Sequence, residues 1–158
     1  MCVKVAAGQP YVLRAVWAAW RARDIAGVLA LAADDVFYPF YVPHDVLPFG
    51  GETVGKAALA DRLRMRIDMF DILNYKGIVT GTDGVTVRGH VTYHFRHRFT
   101  GEDNAGTMRQ VVQVRDGLVS TFKTYVDADG VRAFMSMVSQ TAADERALRD
   151  DDSRRSVV

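Results

Sequence analysis

Residues 110–138 (QVVQVRDGLVSTFKTYVDADGVRAFMSMV) constrain the fold of this chain more than any other stretch. Two runs rich in β-branched and aromatic residues, 110–114 and 118–126, flank Asp116-Gly117, a dipeptide suited to a two-residue hairpin turn. After Val126 the apolar period changes from two to about 3.6, with Val131, Phe134, Met135 and Val138 on one helical stripe. Asp127 stands where sheet hands over to helix. A carboxylate there either caps the helix or sits at the rim of whatever the sheet encloses.

The same turn chemistry divides the preceding chain. Segments 72–80, 85–99, 107–115 and 118–126 read as strands, separated by Thr82-Asp83-Gly84, by residues 101–106 and by Asp116-Gly117. Connections this short force antiparallel neighbours, so the four strands form a meander. Upstream, Pro10 suits a first helical turn, and Leu13, Val16, Trp17 and Trp20 mark the inner face of that helix. Asp24 can cap a second, short helix reaching Ala33. Residues 36–42 (VFYPFYV) read as a strand that Pro39 confines to an edge or a bulge. Residues 44–51 read as a loop. Thr53 or Gly55 then opens a helix burying Leu59, Leu63, Ile67 and Phe70.

This order makes an α+β domain: a curved antiparallel sheet wrapped around N-terminal helices, enclosing a cone-shaped pocket. The expected organisation is a lead-in over residues 1–9, one domain over 10–140, and a charged, mobile tail over 141–158, where DERALRDDDSRRS offers little to bury. At 158 residues, 49% hydrophobic, the chain can build one real core. Twenty basic against 19 acidic residues leave a net charge of +1, no footprint for nucleic acid or an anionic membrane. No apolar run reaches the ~20 residues of a membrane span. A single cysteine, Cys2, and an N-terminus broken by Lys4, Gly8, Gln9 and Pro10 make the cytoplasm the expected location.

The phrases RARDIAGVLALAADDV, GGETVGKAAL and VRDGLVSTFKTYVD, in this element order over about residues 10–138, resemble the nuclear transport factor 2-like superfamily, in its SnoaL-like and ketosteroid isomerase-like branch. The resemblance implies a conical small-molecule pocket and a homodimer paired through the sheet. Carried over by position, the isomerase's general base falls on Phe40, its oxyanion-hole tyrosine on Val16 and its oxyanion-hole acid near Gln110. Ketosteroid isomerase chemistry is therefore not expected. The epoxide hydrolases of the superfamily match only in their final carboxylate. In SnoaL-like cyclases an acid/base aspartate precedes the last helix, and Asp127 in TYVDADGVRAF holds that place, though the Gln-Leu-Gly usual further along is absent.

Two candidate catalytic residues follow. Asp127 would transfer a proton if burial raised its pKa, or would simply cap its helix. His44, in the loop bordering the pocket mouth, could relay a proton near neutral pH. Trp17, Trp20, Tyr38, Phe40, Tyr93, Gln110 and Phe122 would line the pocket and suit a flat, apolar, carbonyl-type ligand. No metal site is expected. His94 and His97 point to opposite faces of one strand, and His90 lies ~13 Å from His94 at about 3.3 Å per residue. No cofactor is expected either, because the phosphate-loop spacing of GGETVGK ends in Ala57 where a Mg²⁺-binding hydroxyl should stand. The two functions left open are acid/base catalysis and a non-catalytic binding or dimerisation module.

Overall fold

The computed structural model describes residues 8–156, and its framework is a curved, unclosed six-stranded sheet in the order β2-β1-β6-β5-β4-β3. The elements follow the chain as α1 (Gly8–Arg21), α2 (Ile25–Ala30), β1 (Ala32–Phe40), β2 (Gly51–Val54), α3 (Lys56–Met69), β3 (Phe70–Asp83), β4 (Thr86–His97), β5 (Asp103–Arg115), β6 (Leu118–Val126) and α4 (Ala128–Arg155). The meander β3 to β6 is antiparallel throughout. Its last turn carries positive φ at both Asp116 (54°) and Gly117 (77°), the backbone of a type I′ hairpin. The expected α+β class and meander hold.

Alternation along β4 buries Val87, Gly89, Val91 and Tyr93, while Arg88, Thr92 and Arg96 stay exposed. The inward face meets α1. Trp17 of α1 lies so close to β3 and β4 that a Cβ on Gly77 would approach its ring to 2.4 Å, and one on Gly89 to 2.5 Å. Those two positions therefore require glycine. They let the long strands pass a bulky indole without a gap.

Several boundaries differ from the sequence expectation, each for a local reason. The first helix starts at Gly8 rather than Pro10, and residues 1–7 of the expected lead-in lie outside the described residues. Asp24 does cap α2, accepting from the Gly27 amide at 2.9 Å. The helix nevertheless stops at Ala30, because β1 begins at Ala32 and pairs in parallel with β6. β2 occupies part of the expected loop and pairs with β1. Pro39 thus sits in an interior strand rather than at an edge. It lies one residue from the end of β1, where a missing donor interrupts the ladder least.

The charged C-terminal segment continues the last helix as far as Arg155. α4 runs 28 residues to Arg155, supported beyond its docked part by Arg149–Glu145 and Arg155–Asp151 pairs at i,i+4 spacing. Only Val131, Phe134 and Val138 of α4 are buried. Most of residues 141–156 are exposed.

Candidate functional site

Inside the sheet, side chains from every element except β2 leave two small cavities of about 50 and 40 Å³. Trp20 comes from the last turn of α1, Arg66 from α3, Tyr38 and Phe40 from β1, Tyr93 from β4, and Phe122 from β6. The first cavity is lined by Tyr38, Tyr75, Gln110 and Phe122 among aliphatic residues, the second by Phe40, Phe49, Phe70, Tyr93, Asn104 and Phe134. Trp20 and Arg66 are walls of both. Of the proposed ligand-binding residues, Trp20, Tyr38, Phe40, Tyr93, Gln110 and Phe122 are thereby brought together.

Arg66 is the unexpected member. Only 8% of it is exposed, and Arg stays protonated at any physiological pH. Its guanidinium lies 5.0 Å from the ring centres of Trp20 and Phe40 and 5.3 Å from that of Phe49. Three ring faces offset part of its desolvation cost. Its Nη1 donates to Tyr38 Oη at 2.7 Å. Among the described residues no carboxylate lies within ion-pair distance of it, and none lines either cavity. The Trp20 indole N–H is buried too, with no hydrogen-bond partner among the described residues.

Trp17 and Gln110 form a buried hydrogen-bonded pair, and of the two only Gln110 lines a cavity. Trp17 lines neither cavity; its Nε1 donates to Gln110 Oε1 at 2.7 Å, and Gln110 Nε2 donates to Tyr75 Oη at 3.0 Å. Both ends of the Gln110 amide are thus engaged. The residue holds the Tyr75 phenol in place on the cavity wall. Burial pushes the Tyr75 pKa up to about 12, against the opposing charge of Arg66 and the Gln110 hydrogen bond, so Tyr75 remains a neutral hydroxyl.

Asp127 caps α4: its Oδ1 accepts from the Gly130 amide at 3.1 Å. The residue is exposed and lies on an outer recess of about 280 Å³ with Tyr93, Asn104, Thr107 and Gly130. The Tyr93 pKa is raised, chiefly by burial, with the Asp127 charge adding to the rise and a hydrogen bond to Asn104 opposing it. His44 sits in an exposed turn after β1 and lines neither the cavities nor the recess. Among the described residues no group of three His, Cys, Asp or Glu comes together as a metal site would require. His94 instead lies 3.1 Å from Asp103, which Arg96 also holds at 2.8 Å.

The sequence did carry a signal for Arg66. It stands seven residues after Leu59 and three after Leu63, on the stripe that the helical period reserves for apolar residues. An arginine on such a stripe is either at its margin or buried for a reason.

A family model described as SnoaL-like domain matches residues 13–122. Among solved structures, a proposed isomerase from Rhodopseudomonas palustris is similar with a TM-score of 0.68 at 22% identity, covering 77% of this chain and 91% of that one. TerC, co-crystallised with polyporic acid, gives 0.67 at 19% identity over 80% of this chain and 96% of its own. A protein of ketosteroid isomerase-like fold from Catenulispora acidiphila, in complex with trimethylamine, gives 0.64 at 18% identity over 78% and 90%. At these identities the likeness is one of fold. No curated protein matches the sequence.

Proposed function

This chain belongs to the SnoaL-like domain family, and on that premise we propose that it binds an apolar, carbonyl-type small molecule in the inner cavities. The observation carrying this reading is the convergence of Trp20, Tyr38, Phe40 and Phe122 with one buried guanidinium in an otherwise apolar hollow. Apolar walls take ligand surface out of water, and a few convergent polar groups fix its orientation. The cavities of about 50 and 40 Å³ are small for an organic ligand. The long Arg66 side chain, which borders both, is the wall that moves to admit one. Apolar carbonyl compounds that bind there raise the melting temperature by mass action. They fail to do so when Val28→Phe fills the first cavity. An equal rise in both chains contradicts the reading.

A second reading, acid/base catalysis of the isomerase, cyclase or hydrolase type with Asp127 as proton-transfer group, has one observation in its favour. Tyr93, Asn104 and Val131 line both the Asp127 recess and the second cavity, so a ligand spanning the two would reach the carboxylate. Its cap bond to Gly130 would persist during turnover. His44, in its exposed turn, would act only from the solvent side.

The proposal includes a homodimer paired through the outer face of the sheet, in the cytoplasm. Supporting it is a cross-strand row, Ile78–His90–Arg109–Tyr125, in which Ile78 is 59% and Tyr125 37% exposed. Exposed apolar side chains set among arginines suit a mixed protein interface. No nucleic-acid or membrane partner is proposed, and among the described residues no helix is long and apolar enough to cross a membrane.

A further inference from the structure

We propose that the ligand of the inner cavities carries an acidic oxygen, a carboxylate or an ionised enol on an apolar skeleton, and that Arg66 and the Trp20 indole N–H bind it. This inference rests on the reading of the cavities as a small-molecule site, and it names the ligand class.

Burying a guanidinium without an anion is unfavourable, and folded chains rarely leave one so. Arg66 has no carboxylate within ion-pair distance among the described residues, and its single hydrogen bond there goes to a neutral phenol. The ring faces of Trp20, Phe40 and Phe49 stabilise the cation but leave its in-plane N–H groups largely unengaged. A second donor in the same walls, Trp20 Nε1, is buried without a partner among the described residues. One buried donor without an acceptor and one buried cation without an anion, bordering the same pair of cavities, describe a site short of one charged acceptor. A delocalised oxyanion satisfies both. Its two oxygens match the planar fork of the guanidinium, and the surrounding aromatic walls take the apolar skeleton. Tyr38 Oη, accepting from Arg66, keeps its own proton free to donate to the same oxygens.

The polarity of the cavity excludes the opposite ligand class. A cationic or amine ligand would meet Arg66 with no compensating carboxylate, because none lines either cavity. A neutral carbonyl could accept one hydrogen bond but would leave the charge of Arg66 uncompensated.

The test uses the full chain and two isosteric probes, benzoate and benzamide, titrated calorimetrically at matched salt concentration. Benzoate binds, and benzamide binds roughly tenfold more weakly or worse. Arg66→Met, which replaces the cation with an apolar side chain of similar length, reduces benzoate to the level of benzamide. Arg66→Lys retains more benzoate binding than Arg66→Met. The melting temperature of Arg66→Met stays at or above that of the parent, because an uncompensated buried charge has been removed. Benzamide binding as tightly as benzoate would overturn the inference while leaving the small-molecule site intact. A marked fall in the melting temperature of Arg66→Met would overturn it as well, making Arg66 a structural residue. Failure of both probes to bind would overturn the site and the inference together.

Discussion

Arg66 Nη1 donates to Tyr38 Oη across 2.7 Å inside the sheet, and no carboxylate of the described residues joins the pair. α3 supplies the cation and β1 the phenol, so the bond ties a helix to the sheet and fixes where the polar centre of an apolar interior lies. That centre distinguishes this interior from a simple hydrophobic core. Asp127, the residue the sequence places at the rim, is by contrast engaged in holding the first turn of α4.

The cap gives a clean prediction. Asp127→Ala should cost about 1 kcal/mol of stability, within the ordinary range for losing an N-cap, and Asp127→Asn should cost much less. Denaturant unfolding checks both. If Asp127 also transfers protons, Asn leaves the stability nearly intact and lowers turnover by roughly 10²-fold or more. Turnover unchanged in Asp127→Asn would restrict the residue to its cap.

Trp17 makes two glycines indispensable. Gly77→Ala and Gly89→Ala each place a methyl group against the indole, at 2.4 and 2.5 Å. Overpacking of this kind costs about 1–3 kcal/mol. Gly81→Ala, on β3 with Gly77, meets nothing within 4 Å and should be far milder. Thermal melts of the three variants check the order.

Acid should weaken the fold through His97. Its pKa is lowered, chiefly by burial, with Glu102 opposing; the ring packs edge-on against Phe70 with centroids 5.4 Å apart. A folded-state pKa below the unfolded value of about 6.5 means that the unfolded chain binds the proton better. Stability is therefore full above about pH 6.5 and falls as the pH drops through the folded pKa. His97→Gln should flatten the dependence of melting temperature on pH in that window, whatever its effect on the melting temperature itself.

The outer face of the sheet should pair two copies. Sedimentation at micromolar concentration is expected to give twice the 17.5 kDa chain mass. Tyr125→Glu, within the Ile78–His90–Arg109–Tyr125 row, should shift it to the monomer. A monomer for the parent chain would remove the dimer from the account.

The fold was legible because its signals are local. Asp116-Gly117 fixes a hairpin, Asp24 a cap, and the change of period at Asp127 a helix start. What escaped depends on distant partners. β2 is four residues of glycine-flanked chain, a strand only because β1 lies beside it. The extension of β1 back to Ala32 depends on β6 in the same way. α4 continues past its buried residues on propensity and surface ion pairs, where low hydrophobicity read as a tail. For the site, the aromatic residues were legible as a converging set. Gln110 and Trp17 were legible as buried but not as partners, because their hydrogen bond spans 93 positions. Its place on the apolar stripe aside, Arg66 does not stand out in the sequence, because a charged residue on a helix is usually a solvated one.

The central claim is that a ligand enters between Trp20 and Arg66, and the two indole N–H groups of the chain report on it directly. The Trp17 indole is hydrogen-bonded to Gln110, whereas the Trp20 indole has no partner among the described residues, and each gives its own signal in a proton–nitrogen correlation spectrum. Titration with benzoate should move the Trp20 indole resonance downfield as it gains an acceptor and leave the Trp17 resonance nearly still, and at the same benzoate concentrations it should move neither resonance in Arg66→Met. Binding that leaves the Trp20 resonance in place would locate the ligand elsewhere and contradict the account.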